Sequence, residues 1–89
     1  MSKRGIVIHD IDRFLALPSS EQQLLVEALF ASDDDYVWNY AKQADELTER
    51  LGIEWKTAQN VIGRLRRKGL MRRINTGVMD IDGSFIERL

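Results

Sequence analysis

Lys56, Thr57, Gln59, Asn60 and Arg64 crowd one short stretch of the chain, and Arg66, Arg67, Lys68, Arg72, Arg73, Asn75 and Thr76 follow directly. The first set mixes ammonium, hydroxyl, amide and guanidinium groups. Asn and Gln pair bidentately with adenine, and Arg or Lys with guanine, so this set has the chemistry to read base edges. The second set is mostly cationic, and its chemistry is that of holding phosphate oxygens. A run of cations taken alone is most often a solvated face. Amides and a hydroxyl interleaved with the cations change the balance, because a purely electrostatic contact has no use for them.

Other chemistries lack their residues. There is no Cys, so disulfides, thiolate metal sites and cysteine nucleophiles are excluded, and a reducing compartment fits best. His9 is the sole histidine, and no Gly-rich loop stands ready to cradle a phosphate, so no nucleophile and base present themselves. No enzymatic activity, cofactor or metal is expected. The triplet Asp33, Asp34, Asp35 lacks the spaced oxygen ligands and the Gly of a calcium loop and reads as a solvated turn. Trp38 reads as core, and Trp55 as either core or a stacking platform.

The net charge of −1 conceals a segregation. Residues 1–50 hold five Lys/Arg against ten Asp/Glu, whereas residues 51–75 hold seven Lys/Arg against one Glu. Such a chain presents two electrical faces, one of which attracts anionic partners. Double-stranded DNA is the first candidate, and an acidic protein is the alternative. Apolar runs are only a few residues long, far short of the ~20 that span a bilayer, and residues 1–8 lack the apolar stretch of a signal peptide. A cytoplasmic protein without a membrane partner is expected.

Periodicity places these residues. Leu24, Leu25, Ala28 and Leu29 mark the core face of a helix running to about residue 31, with Ser19 or Ser20 as its cap and Gln22 or Gln23 completing a capping box. Val37 and its aromatic neighbours suit a strand or a continuation of the helix. A second helix spans 41–51 and is closed by Gly52. A third spans 54–68, with Ala58, Ile62 and Leu65 on one stripe, Trp55 and Val61 at its margins and the polar set opposite. Two alternating segments, 70–74 and 78–82, flank the turn Asn75-Thr76-Gly77 and predict a β-hairpin. Upstream, Ile6, Val7 and Ile8 suit a short strand, and Asp10 caps a helical turn.

The order helix, strand, helix, Gly turn, basic helix, hairpin, carried by Leu47-Thr48-Glu49-Arg50-Leu51-Gly52-Ile53 and by Lys56 through Met71, resembles the winged helix-turn-helix family over residues 19–82. The segment Gly77-Val78-Met79-Asp80-Ile81-Asp82 is similar to the wing of MarR-type regulators and of small plasmid replication initiators. The resemblance implies an α+β, mainly helical fold: a three-helix core with a C-terminal β-hairpin wing. It further implies a sequence-specific double-stranded DNA-binding protein, a transcriptional regulator or a plasmid or phage replication or partition factor. Helix 54–68 would read the major groove and the wing would clamp phosphates. One departure is Glu54, followed by the large Trp55, where a capping Ser or Thr is usual.

Length allows one domain: an N-terminal extension 1–17, the winged unit 19–82 and a tail 83–89. A chain of this size buries only about 60 to 65% of its unfolded surface. The apolar residues left over, Ile6, Ile8, Phe14 and Leu17 at one end and Phe85, Ile86 and Leu89 at the other, are therefore expected to form a symmetric homodimer that spaces two recognition helices by about 34 Å. Gly63 interrupts the basic helix at a cost of about 0.5 to 1 kcal/mol relative to Ala, which calls for a reason such as the close approach of another backbone. Helix one, helix two or a partner could each supply that backbone.

Overall fold

A computed structural model of the chain describes residues 5–89; Met1 to Arg4, the start of the expected extension, lie outside the described residues. The elements run β1 (Ile6–Ile8), α1 (Ile11–Leu15), α2 (Ser19–Ala31), β2 (Val37–Trp38), α3 (Ala44–Leu51), α4 (Trp55–Arg67), β3 (Met71–Asn75), β4 (Val78–Ile81) and β5 (Ile86–Arg88). The fold is α+β, with about 46% of the described residues helical. Two antiparallel sheets accompany the helices, one ordered β2-β4-β3 and the other pairing β1 with β5. None of the helices is long and apolar enough to cross a membrane among the described residues.

The helix stripes meet in one core. Leu24, Leu25, Ala28 and Leu29 of α2 pack with Leu47 of α3 and with Ala58, Val61, Ile62 and Leu65 of α4. Val61, expected at the margin, is fully part of this stripe. Trp38, Met71, Met79 and Ile81 close the core from the three-stranded sheet. Gly52 ends α3 at φ 65°, the left-handed conformation that suits Gly, and sends the chain directly into α4. The helix expected over 41–51 begins only at Ala44, because Gln43 and its neighbours are held in a turn.

The capping box does not form. Pro18 is the N-cap of α2, and its carbonyl accepts from the backbone N–H groups of Glu21 and Gln22. Ser19 and Ser20 lie inside the helix, and the Gln22 amide is engaged elsewhere, donating to the carbonyls of Phe14 (2.9 Å) and Leu17 (3.1 Å). At α1 the expectation is met: the Asp10 carboxylate accepts from the Arg13 N–H at 3.1 Å. The acidic triplet is a turn, with the Asp33 carboxylate accepting from the N–H groups of Asp35 (2.9 Å) and Val37 (3.0 Å).

Strands from the expected extension and the expected tail pair with each other. β1 and β5 pair in the register Ile6 with Arg88, Val7 with Glu87 and Ile8 with Ile86, so the two ends of the described chain close on each other. Phe14, Leu17, Phe85 and Ile86 are buried in the chain's own core, and Ile6 and Ile8 pack against it. This corrects the dimer surface expected from these residues. Phe14, Leu17, Phe85 and Ile86 are already covered within one chain, Ile6 and Ile8 are partly covered, and Leu89 is 80% exposed.

Candidate functional site

Helix α4 is two-sided. Ala58, Val61, Ile62 and Leu65 face the core, and Lys56, Thr57, Gln59, Asn60, Arg64, Arg66 and Arg67 are all exposed. Positions 56, 60, 63 and 67 follow one another at four, three and four residues and share the stripe opposite the core. Thr57 and Arg64 flank that stripe on one side, Gln59 and Arg66 on the other. Lys56 and Asn60 therefore share one stripe, while Thr57 with Arg64 and Gln59 stand on its two opposite flanks.

Among the described residues most of the other cations are engaged, although Lys42 and Arg73 also have no acidic partner. Arg50 pairs with Glu46 and Glu27, Arg72 with Asp80, Lys68 with Glu21, and Arg88 donates to backbone carbonyls. Lys56, Arg64, Arg66 and Arg67 have no acidic partner among the described residues, and Thr57, Gln59 and Asn60 make no side-chain hydrogen bond there. Three of the cations fall in the last turn, where they also favour the negative end of the helix dipole. That accounts for their charge, and leaves Lys56 and the amides unexplained by anything within the chain.

Several contacts hold α4 rigidly. At its start Trp55 stacks on Tyr40, with ring centroids 6.0 Å apart, and Tyr40 on Trp38 at 5.6 Å, so Trp55 belongs to an aromatic row running into the core. The Trp38 indole N–H donates to Gln43 Oε1 at 2.9 Å and fixes the end of that row. Glu54 is the N-cap, with extended backbone and no side-chain cap. At the other end Lys68 is bound by Glu21, a carboxylate only 1% exposed, and the Lys68 carbonyl accepts from the Arg13 guanidinium. This corrects the role expected of Lys68. Its ammonium, although 40% exposed, is paired with a buried acid and is not a free cation.

The hairpin forms as expected, β3 against β4, with an irregularity between Arg73 and Asn75 that leaves Ile74 unpaired and half exposed. Arg72 is exposed, yet its guanidinium donates to Asp80 across the hairpin at 2.9 Å. Arg73 reaches only the Thr76 hydroxyl, at 3.4 Å, and the Asn75 side chain accepts from the Thr76 N–H at 2.9 Å. The turn is tied down at Gly77: the Gly77 carbonyl accepts from the Ala41 N–H at 3.2 Å, and a Cβ there would stand 2.6 Å from that of Ala41. Both the start of α4 and the hairpin tip are therefore anchored on residues 38–41. Sequence reasoning missed Glu21, Arg13 and Asp80, the groups that orient Lys68 and Arg72. Only Asp80 had a signal, since a hairpin with its turn at 75–77 sets it across from Arg72.

Among the described residues, no group of three or more His, Asp or Glu is placed to hold a metal ion. No family model, no curated protein and no solved structure matches this chain.

Proposed function

We propose that the chain binds double-stranded DNA in a sequence-dependent manner, with α4 in the major groove and the β3–β4 hairpin as a wing against the phosphates. The observation that carries this reading is the outward face of α4, where unpartnered cations alternate with unpartnered amide and hydroxyl groups. An α-helix fits the major groove, and this mixture is what base reading requires. The order α2, β2, α3, α4, β3, β4 supports a winged-helix architecture for residues 19–82. Anchoring of helix and hairpin on one segment keeps their spacing fixed. In this reading the chain acts as a transcriptional regulator or as a replication or partition factor.

Selection of duplexes from a random-sequence pool, followed by gel-shift at two salt concentrations, tests it. The expected result is a selected sequence bound tightly and with strong salt dependence. Asn60→Ala and Gln59→Ala should each lower affinity for that sequence by about 1 to 3 kcal/mol and leave binding to unrelated duplexes nearly unchanged. Uniform weak binding with no preferred sequence defeats the proposal, and points instead to an acidic protein partner for the same cations.

The wing gives a second prediction. Arg72 is held by Asp80 and Arg73 has only a weak partner, so Arg73→Ala is expected to weaken all sequences alike and to reduce the salt slope by about one. Arg72→Ala should change the slope less. Equal and negligible effects would mean that the hairpin does not touch the backbone.

A further inference from the structure

Gly63 lies at the midpoint of the outward face of α4, between Asn60 and Arg67 on the stripe opposite the core. Neither α2 nor α3 approaches it. A Cβ built there would meet only Arg67 Nη1, at 3.7 Å, which is ordinary contact with the end of a flexible side chain. The residue is helical, so no positive φ requires Gly either. Most of the other glycines answer to something inside the chain, Gly5 only to the end of the exposed Leu89 side chain. Gly52, Gly69 and Gly77 have positive φ, and a Cβ at Gly5 or Gly83 would stand 2.6 Å from Leu89 Cδ1 or 3.2 Å from the Tyr36 ring. Gly63 alone weakens its helix with no internal return.

We infer that Gly63 sets the depth at which α4 enters the groove: the bare Cα lets the helix backbone approach the base edges more closely than any side chain would allow. The inference rests on the DNA reading of α4. Its neighbours on the stripe, Lys56, Asn60 and Arg67, are long or branched; Gly63 itself is half-buried beneath the flexible Arg67 guanidinium, which has to swing aside to open a gap there. A base edge or thymine methyl fits that gap, and contact there brings Asn60 within hydrogen-bonding range of its own base pair. A β-carbon at 63 lifts the helix and stretches every base contact along it. Gly63 is thus a positioning residue that makes specificity without donating or accepting a hydrogen bond.

The test compares the wild-type chain with Gly63→Ala, Gly63→Ser and Asn60→Ala, using the duplex that the wild type selects from a random-sequence pool and an unrelated duplex of equal length. Gly63→Ala is expected to raise the melting temperature by about 3 to 8 °C. The same variant is expected to lose about tenfold in affinity for the selected duplex and less than twofold for the unrelated one. Gly63→Ser, with a similar β-carbon and lower helix propensity, should lose as much affinity with a smaller thermal gain. If both Gly63 variants bind the selected duplex within twofold of wild type while Asn60→Ala weakens it, the depth role is wrong and the DNA reading stands. If no duplex is selected, or all three variants bind as the wild type does, the reading itself fails and the depth role with it.

Discussion

Lys68→Ala is expected to lower the stability of the chain by about 2 to 4 kcal/mol at neutral pH, a loss that urea unfolding would read. The cause is the partner left behind. Glu21 is 1% exposed, and Lys68 is the cation that neutralises it. Removing one member of a buried pair strands a charge in a poorly solvated site, which typically costs about 3 to 5 kcal/mol. Two features reduce the figure here: Lys68 is itself 40% exposed, and Glu21 occupies the first turn of α2, where the helix dipole favours an anion. Adding Glu21→Gln to Lys68→Ala should recover more than half of the loss, because the stranded charge is gone. The account is wrong if Lys68→Ala unfolds at the wild-type denaturant midpoint, or if the double variant is as unstable as the single one.

Arg88→Ala is expected to cost about 2 to 4 kcal/mol, through a different mechanism. A helix leaves its last carbonyls without intrahelical partners, and no basic residue of α2 serves them. The Arg88 guanidinium reaches this end from far along the chain, donating to the Leu29 carbonyl of the last turn (2.8 Å) and to the Ser32 (2.7 Å) and Asp33 (2.7 Å) carbonyls just beyond it. It also lies over the Tyr36 ring, 5.0 Å from its centroid, while the Arg88 N–H donates to the Tyr36 hydroxyl at 2.9 Å. Tyr36 has φ 63°, an unfavourable conformation for a bulky residue, and these contacts help to hold it there. Arg88→Lys keeps the charge but not the planar fork, so it should restore less than half of the stability. Full restoration by Lys would show that charge alone matters, against the geometric account.

What could be read from the sequence follows from what periodicity records. The core stripe and the polar face of α4 repeat at helical spacing, and Gly52, Gly69 and Gly77 mark the turns around them, so the helix, the turn before it and the hairpin after it were legible with their faces. The pairing of β1 with β5 was not, because three-residue strands at opposite ends of a chain carry no signal about each other. Their apolar residues looked like surplus and were read as a dimer surface, whereas they complete the core that α2, α3 and α4 leave open. Glu21 was hidden for the opposite reason. It falls on the stripe of Leu24, Leu25 and Ala28, where an acidic residue near a helix start is easily taken for a solvated one. Lys68 then looked free, since its partner lies 47 residues away.

The closure of β1 on β5 also governs when the fold can be completed. His9 and Glu87 are 78 residues apart in sequence and hydrogen-bonded at 3.1 Å. Closing so long a loop costs little more than closing a shorter one, since each doubling adds only about 0.6 kcal/mol. It is the rate that suffers, because pairings remote in sequence slow folding. On a ribosome adding roughly 5 to 20 residues per second, Phe14 and the open end of α2 emerge several seconds before Phe85, Ile86 and Arg88, the residues that cover them. Over that interval the nascent chain carries a half-covered apolar surface and a helix end whose carbonyls have water where Arg88 will later sit. The β1–β5 pairing and the Arg88 contacts form only after residue 88 has been made.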